Sequence, residues 1–76
     1  MRKIRTTQPD GEVTTEDGPA YRRSVTASVR KMAGRGEAPP FTEEEARRLQ
    51  LDELVARDNA WASEHRPGYR VEVVEG

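Results

Sequence analysis

The stretch FTEEEARRLQLDELVARDNAWASEHRPG, from Phe41 to Gly68, decides how the chain folds. Thr42 at an N-cap with Glu45 three residues on makes a capping box, and Glu43, Glu44 and Glu45 lie at the positive end of the helix dipole that follows. Phe41 before the cap and Ala46 after it form a weak hydrophobic staple. Leu51, Leu54, Val55, Asp58, Trp61 and Ala62 recur at helical spacing, and all but Asp58 are apolar. A second, weaker stripe carries Leu49, Ala56 and Ala60. Arg66-Pro67-Gly68 stops the pattern. The spacing predicts one helix over about 43–64 with two apolar edges, able to touch two neighbours.

Working outward, Tyr69 to Glu75 alternates with period two, which places Tyr69, Val71 and Val73 on one side of a strand over about 69–75. Upstream, Asp17 is a good N-cap and Pro19 suits a first helical turn. Tyr21, Val25, Val29 and Met32 then form one apolar stripe, and Gly34 and Gly36 end it. A helix over about 19–33 follows. The linker 34–40, with two glycines and two prolines, is short enough to join packed helices. Residues 1–17 read as a hairpin turned by Gln8-Pro9-Asp10-Gly11. The expected fold is α+β: an N-terminal β-hairpin, two packed helices and a C-terminal strand, in a single small domain over 1–76.

The chain has 76 residues, a net charge of −1 and no cysteine. Zero cysteines exclude a disulfide framework, a thiolate metal site and a cysteine nucleophile. No apolar run approaches the ~20 residues of a membrane span. No such run follows Met1-Arg2-Lys3-Ile4 either, so no secretory leader and a cytoplasmic location are expected. A core this thin, without disulfide or metal, leaves little stability in reserve. That points to a partner, another protein or a second copy, which completes it.

Charge is strongly segregated. Residues 18–36 hold five bases and no acid, whereas residues 37–65 hold eight acids against three bases. Helix one is therefore basic and helix two acidic, which suits complementary neighbours. The alternative is that Arg22, Arg23, Arg30, Lys31 and Arg35 form a phosphate patch for nucleic acid. An acidic whole-chain pI of about 5.8 opposes that.

No constellation points to catalysis, a cofactor, a metal or a small-molecule substrate. Glu43, Glu44 and Glu45 project about 100° apart on a helix, so they cannot face one ion. His65 is a lone histidine at a helix C-terminus, suited to the last carbonyls. Asp58 interrupts an apolar stripe and needs a partner. Either an arginine from helix one answers it or it sits at the rim of the stripe, or it specifies a bound protein. Trp61 is either a core anchor or an exposed hot spot. The expected function is a small non-enzymatic protein-interaction module, a regulator, inhibitor or assembly component. Its partner contacts would come from Leu49, Asp58 and Trp61, and its arginine-, alanine- and glutamate-rich style suggests bacterial or phage origin. A nucleic-acid-binding regulator is the alternative.

Overall fold

Gly11 sits at φ +93°, a conformation that costs glycine little and other residues much. Its amide donates to the Gln8 carbonyl at 2.9 Å, and Gln8 donates to Glu12 at 2.8 Å. The Asp10 carboxylate accepts from the Glu12 amide at 2.9 Å. This turn reverses the chain between β1 (Arg2–Thr7) and β2 (Val13–Asp17), which pair antiparallel from Lys3↔Asp17 to Thr7↔Val13. The computed structural model describes residues 2–75. Its order is β1, β2, α1 (Gly18–Gly34), α2 (Glu43–Arg48), α3 (Leu51–His65) and β3 (Arg70–Glu75). The architecture is α+β, as the sequence predicts: a hairpin, a helical layer and a C-terminal strand.

β3 pairs antiparallel with the other side of β1, giving the sheet order β2-β1-β3. Ile4 faces Val73 across the ladder and Thr6 faces Val71. Side chains alternate between faces along a strand, and directly opposed residues share a face. Ile4, Thr6 and Val71 are buried under the helices, whereas Lys3, Arg5 and Arg70 on the other face are exposed. The Arg5–Glu72 pair, 3.7 Å apart, crosses that open face.

α1 begins where Asp17 accepts a 2.7 Å hydrogen bond from the Ala20 amide. Tyr21, Val25, Val29 and Met32 are its buried residues, the predicted stripe. α2 begins with the predicted capping box. The Glu45 amide donates to Thr42 Oγ1 at 3.1 Å, and the Thr42 amide donates to Glu45 Oε1 at 2.9 Å. Phe41 and Ala46 are both buried beside it.

The single helix expected over about 43–64 is two helices. Leu49 and Gln50 adopt extended backbone, with ψ of 149° and 150°. Neither glycine nor proline marks the break. Arg22 of α1 sits at the break: its Nη1 donates to the carbonyls of Ala46 at 3.0 Å and Leu49 at 2.8 Å. In an unbroken helix those carbonyls would accept from the amides of Gln50 and Glu53. The guanidinium satisfies them instead, and the chain bends there. The bend serves packing, because Ala46 on one side and Leu54 on the other are both fully buried.

The helices divide the sheet between them. α1 packs closest to α2 and the hairpin, and α3 packs on β3. The apolar edges of α1 and α3 still meet in one cluster with Ile4, Phe41 and Val71. Gly68, at φ +95°, turns the chain into β3 where an added Cβ would lie 3.2 Å from the backbone of Pro9. Among the described residues no helix is long and apolar enough to cross a membrane.

Arg22 is therefore a structural residue. Arg22→Met keeps the aliphatic stem but removes both charge-assisted bonds, each of a kind that contributes about 1.5–3 kcal/mol when partly shielded from water. A net loss of about 2 kcal/mol is expected in urea unfolding. A loss below about 0.5 kcal/mol would show that water caps α2 equally well.

Candidate functional site

A groove of about 730 Å³ lies where α1, α2 and the start of α3 meet. Its apolar surface comes from Pro19, Ala27 and Leu51, and four arginines stand around it: Arg22, Arg23, Arg30 and Arg47. Helical spacing puts Arg23, Ala27 and Arg30 on one face of α1, away from the buried stripe. The break after Arg48 sets the angle of α2, and so brings Arg47 to the same rim.

The four arginines are not equivalent. Arg22 is half-buried and held by the α2 carbonyls. Arg30 and Arg47 converge on one carboxylate: Arg30 Nε lies 3.0 Å from Glu43 Oε1, and Arg47 Nη2 lies 2.7 Å from the same atom. Arg30 holds the Glu43 carboxyl below its ordinary range, and Glu43 raises the Arg30 guanidinium in return. Both are surface groups, so salt and water weaken the pair. Arg23 is exposed and has neither ion pair nor hydrogen bond among the described residues. Four guanidinium groups thus stand around an apolar floor, and Glu43 pairs with two of them.

Of the five basic residues singled out in the sequence, the structure brings Arg22, Arg23 and Arg30 to this groove. Arg35 turns away to pair with Glu37 at 2.7 Å, and Lys31 is exposed outside the groove. The sequence reading missed Arg47, which sits in the acidic segment. Its signal was the Glu43–Arg47 spacing of four. The predicted complementarity of the helices is seen in part, in the Arg30–Glu43 pair that bridges α1 and α2.

Comparison with known proteins found no matching family, and neither a curated protein nor a solved structure similar to this chain. The reading of the groove therefore rests on its own chemistry. Among the described residues no group of three or more histidines and carboxylates converges to hold a metal ion.

Leu49, Asp58 and Trp61 are not brought together on one exposed surface. Leu49 is half-buried against the core at the break between α2 and α3. Trp61 is half-buried, with its indole N–H 3.3 Å from the Ala38 carbonyl and its ring stacked on His65 at 4.6 Å. His65 Nδ1 lies 2.9 Å from the Trp61 carbonyl, the last-turn contact foreseen for it.

Asp58 is only 7% exposed. The expected arginine from helix one does not answer it. Its Oδ2 instead accepts from the hydroxyls of Tyr21 at 2.8 Å and Tyr69 at 3.3 Å. Burial raises the Asp58 carboxyl above its ordinary value, and the two hydroxyl donors oppose the shift without cancelling it. Burial and the adjacent carboxylate raise both tyrosines, so they stay protonated donors.

The sign of the pH effect follows. A raised acid favours folding while it is protonated, so its contribution is complete below about pH 3.9, the unfolded value. The contribution is lost as pH rises through the folded value. Asp58→Asn cannot ionise, so the stability of the natural chain minus that of the variant should fall between pH 3 and pH 7. Urea unfolding at several pH values measures this, and a difference that grows with pH would contradict the burial argument.

Proposed function

We propose that the protein is a non-enzymatic interaction module whose arginine groove takes an acidic, partly apolar segment of a protein partner. The observation that carries this reading is the unpaired Arg23 beside Arg30 and Arg47, over the surface of Pro19, Ala27 and Leu51. An amphipathic acidic helix satisfies both features: carboxylates reach the guanidinium rim, and its apolar face covers the floor. Nucleic acid satisfies only the rim, because the floor offers no aromatic ring on which a base could stack. The overall charge of −1 also repels a polyanion at long range. Location in the cytoplasm and origin in bacteria or phage belong to the same proposal, on composition alone.

The test is selection from a random peptide library, followed by titration of the selected peptides. The expected outcome is enrichment of sequences with carboxylates and large apolar residues at helical spacing. Arg23→Glu combined with Ala27→Glu reverses charge and polarity in the groove without touching a buried residue. It should reduce affinity at least about tenfold, equivalent to 1.4 kcal/mol. Peptides without acidic enrichment, or equal binding by the variant, would refute the assignment. Tighter retention of a DNA or RNA duplex than of any peptide at about 0.15 M salt would favour the nucleic-acid reading instead.

A further inference from the structure

The chain has four aromatic residues, and all of them line one cavity. Tyr21, Phe41, Trp61 and Tyr69 contribute to the wall of a space of about 220 Å³ between the hairpin, α1 and the C-terminal half of α3, together with polar and aliphatic side chains. It lies on the opposite side of α1 from the arginine groove. An engineered apolar cavity of ~150 Å³ admits benzene, so this one has room for a compact organic group.

Its electrostatics are the inverse of the groove's. The acidic side chains in its wall are Asp58 and Glu16, and the basic one is Arg66. Both tyrosine hydroxyls bond to Asp58 Oδ2, which leaves Oδ1 without a donor among the described residues. Among the described residues no fully enclosed side-chain oxygen or nitrogen lacks a partner, so Oδ1 faces accessible space. Asp58 is one of the residues that line the cavity. Glu16 is partly engaged, accepting from Ser24 Oγ at 3.2 Å.

Arg66 shows what this wall attracts. Its guanidinium carbon lies 5.8 Å from the centroid of the Trp61 ring and 5.8 Å from that of Tyr69. A cation within about 6 Å of an aromatic face is held by the ring quadrupole, and the attraction grows as water is excluded. The chain's own cation already occupies the aromatic wall, while the remainder of Arg66 is exposed. A cavity with aromatic rings and the Asp58 and Glu16 carboxylates in its wall is complementary to a positive charge carried on an apolar body. A neutral apolar guest would leave Oδ1 unanswered. A hydrated metal ion would find too few ligands.

We propose that this cavity binds an organic ammonium group, and that Arg66 is a displaceable occupant of its mouth. The guest reaches the cavity either as a free amine or as a lysine-type side chain of a partner. The ammonium carbon substituents contact Trp61 and Tyr69, and the charge is answered by Asp58 and Glu16. The site is independent of the arginine groove, and either assignment can fail alone.

Trp61 is the only tryptophan, so its fluorescence reports directly on the cavity. The intact protein is titrated with choline and with 3,3-dimethylbutanol, the neutral analogue of the same shape, at constant ionic strength. A third titration uses the amide of Nα-acetyl-Nε-trimethyllysine. Saturable change with either ammonium, at least about tenfold tighter than with the neutral analogue, is expected for a site that reads charge. The tighter of the two ammonium compounds identifies the free or the protein-borne source. Arg66→Ala should strengthen binding, and Glu16→Gln, a rim change that leaves the core intact, should weaken it. Chemical shifts of Tyr69 and Trp61 should move together on titration. Binding of the neutral analogue within twofold of choline, no saturable response to either ammonium, or weaker binding by Arg66→Ala would each overturn the proposal.

Discussion

Asn59→Ala is expected to destabilise the protein by about 2–4 kcal/mol, far more than its half-buried position suggests. The Asn59 side chain is paired on both sides with one backbone residue of β3. Its Nδ2 donates to the Val71 carbonyl at 2.6 Å, and its Oδ1 accepts from the Val71 amide at 2.8 Å. In an antiparallel ladder, directly opposed residues alternate between exchanging hydrogen bonds and not. Val71 opposes Thr6 at a position where its own amide and carbonyl turn away from β1, towards α3. Asn59 therefore acts as a one-residue strand on the edge of the sheet. Val71 is 1% exposed, so removing the carboxamide leaves two buried backbone groups without partners. Each such orphan costs about 1–3 kcal/mol. Urea unfolding measures the loss, and faster hydrogen exchange at the Val71 amide localises it. Asn59→Asp makes the assignment sharper. It retains an acceptor for the amide but sets an oxygen against the Val71 carbonyl, so it should rescue little. A cost below about 0.5 kcal/mol for alanine would mean that water reaches Val71 freely.

That contact also illustrates what the sequence could not disclose. Asn59 falls between the two apolar stripes of its helix, and nothing local distinguishes it from a solvated residue. The features that were legible are those set within a few residues: the Asp10-Gly11 turn, the Asp17 and Thr42 caps, the stripe from Tyr21 to Met32 and the alternation after Tyr69. Each depends on short-range sterics or on a period that a linear sequence displays. The break at Leu49-Gln50 was illegible because the group that caps it, the Arg22 guanidinium, lies 27 residues upstream of the Leu49 carbonyl. On its own, Glu43 to His65 is an uninterrupted helical pattern. The same break carried Arg47 to the groove, so the composition of the candidate site was only partly readable. Asp58 was correctly singled out as a residue in need of a partner. The rule that buried carboxylates find donors does not say which donor, and two tyrosine hydroxyls proved nearer than any arginine.

Leu54→Ala is the second substitution with a large expected effect, about 3 kcal/mol. Leu54 is fully buried at the point where α3 reaches the cluster shared by α1 and the sheet. Truncating a buried leucine removes its transfer free energy and leaves a void that the surroundings fill only in part, a combined cost of about 2–5 kcal/mol. A domain of 76 residues has a total stability of about 4–11 kcal/mol, so one side chain accounts for a large share. In a domain this size each kcal/mol moves Tm by about 4–8 °C, and a fall of about 12–24 °C is expected in thermal unfolding. Val13→Ala is the matching control: Val13 is 52% exposed on β2, and its truncation should change stability by less than about 0.5 kcal/mol. The pair separates two origins of order. If the core seen here organises the isolated chain, the two substitutions differ by several kcal/mol. If the chain is ordered only when a partner covers it, both variants and the natural protein should show weak, non-cooperative transitions alone. The Leu54 penalty would then appear instead in partner affinity, because a partner that binds only the folded state must first supply the folding free energy.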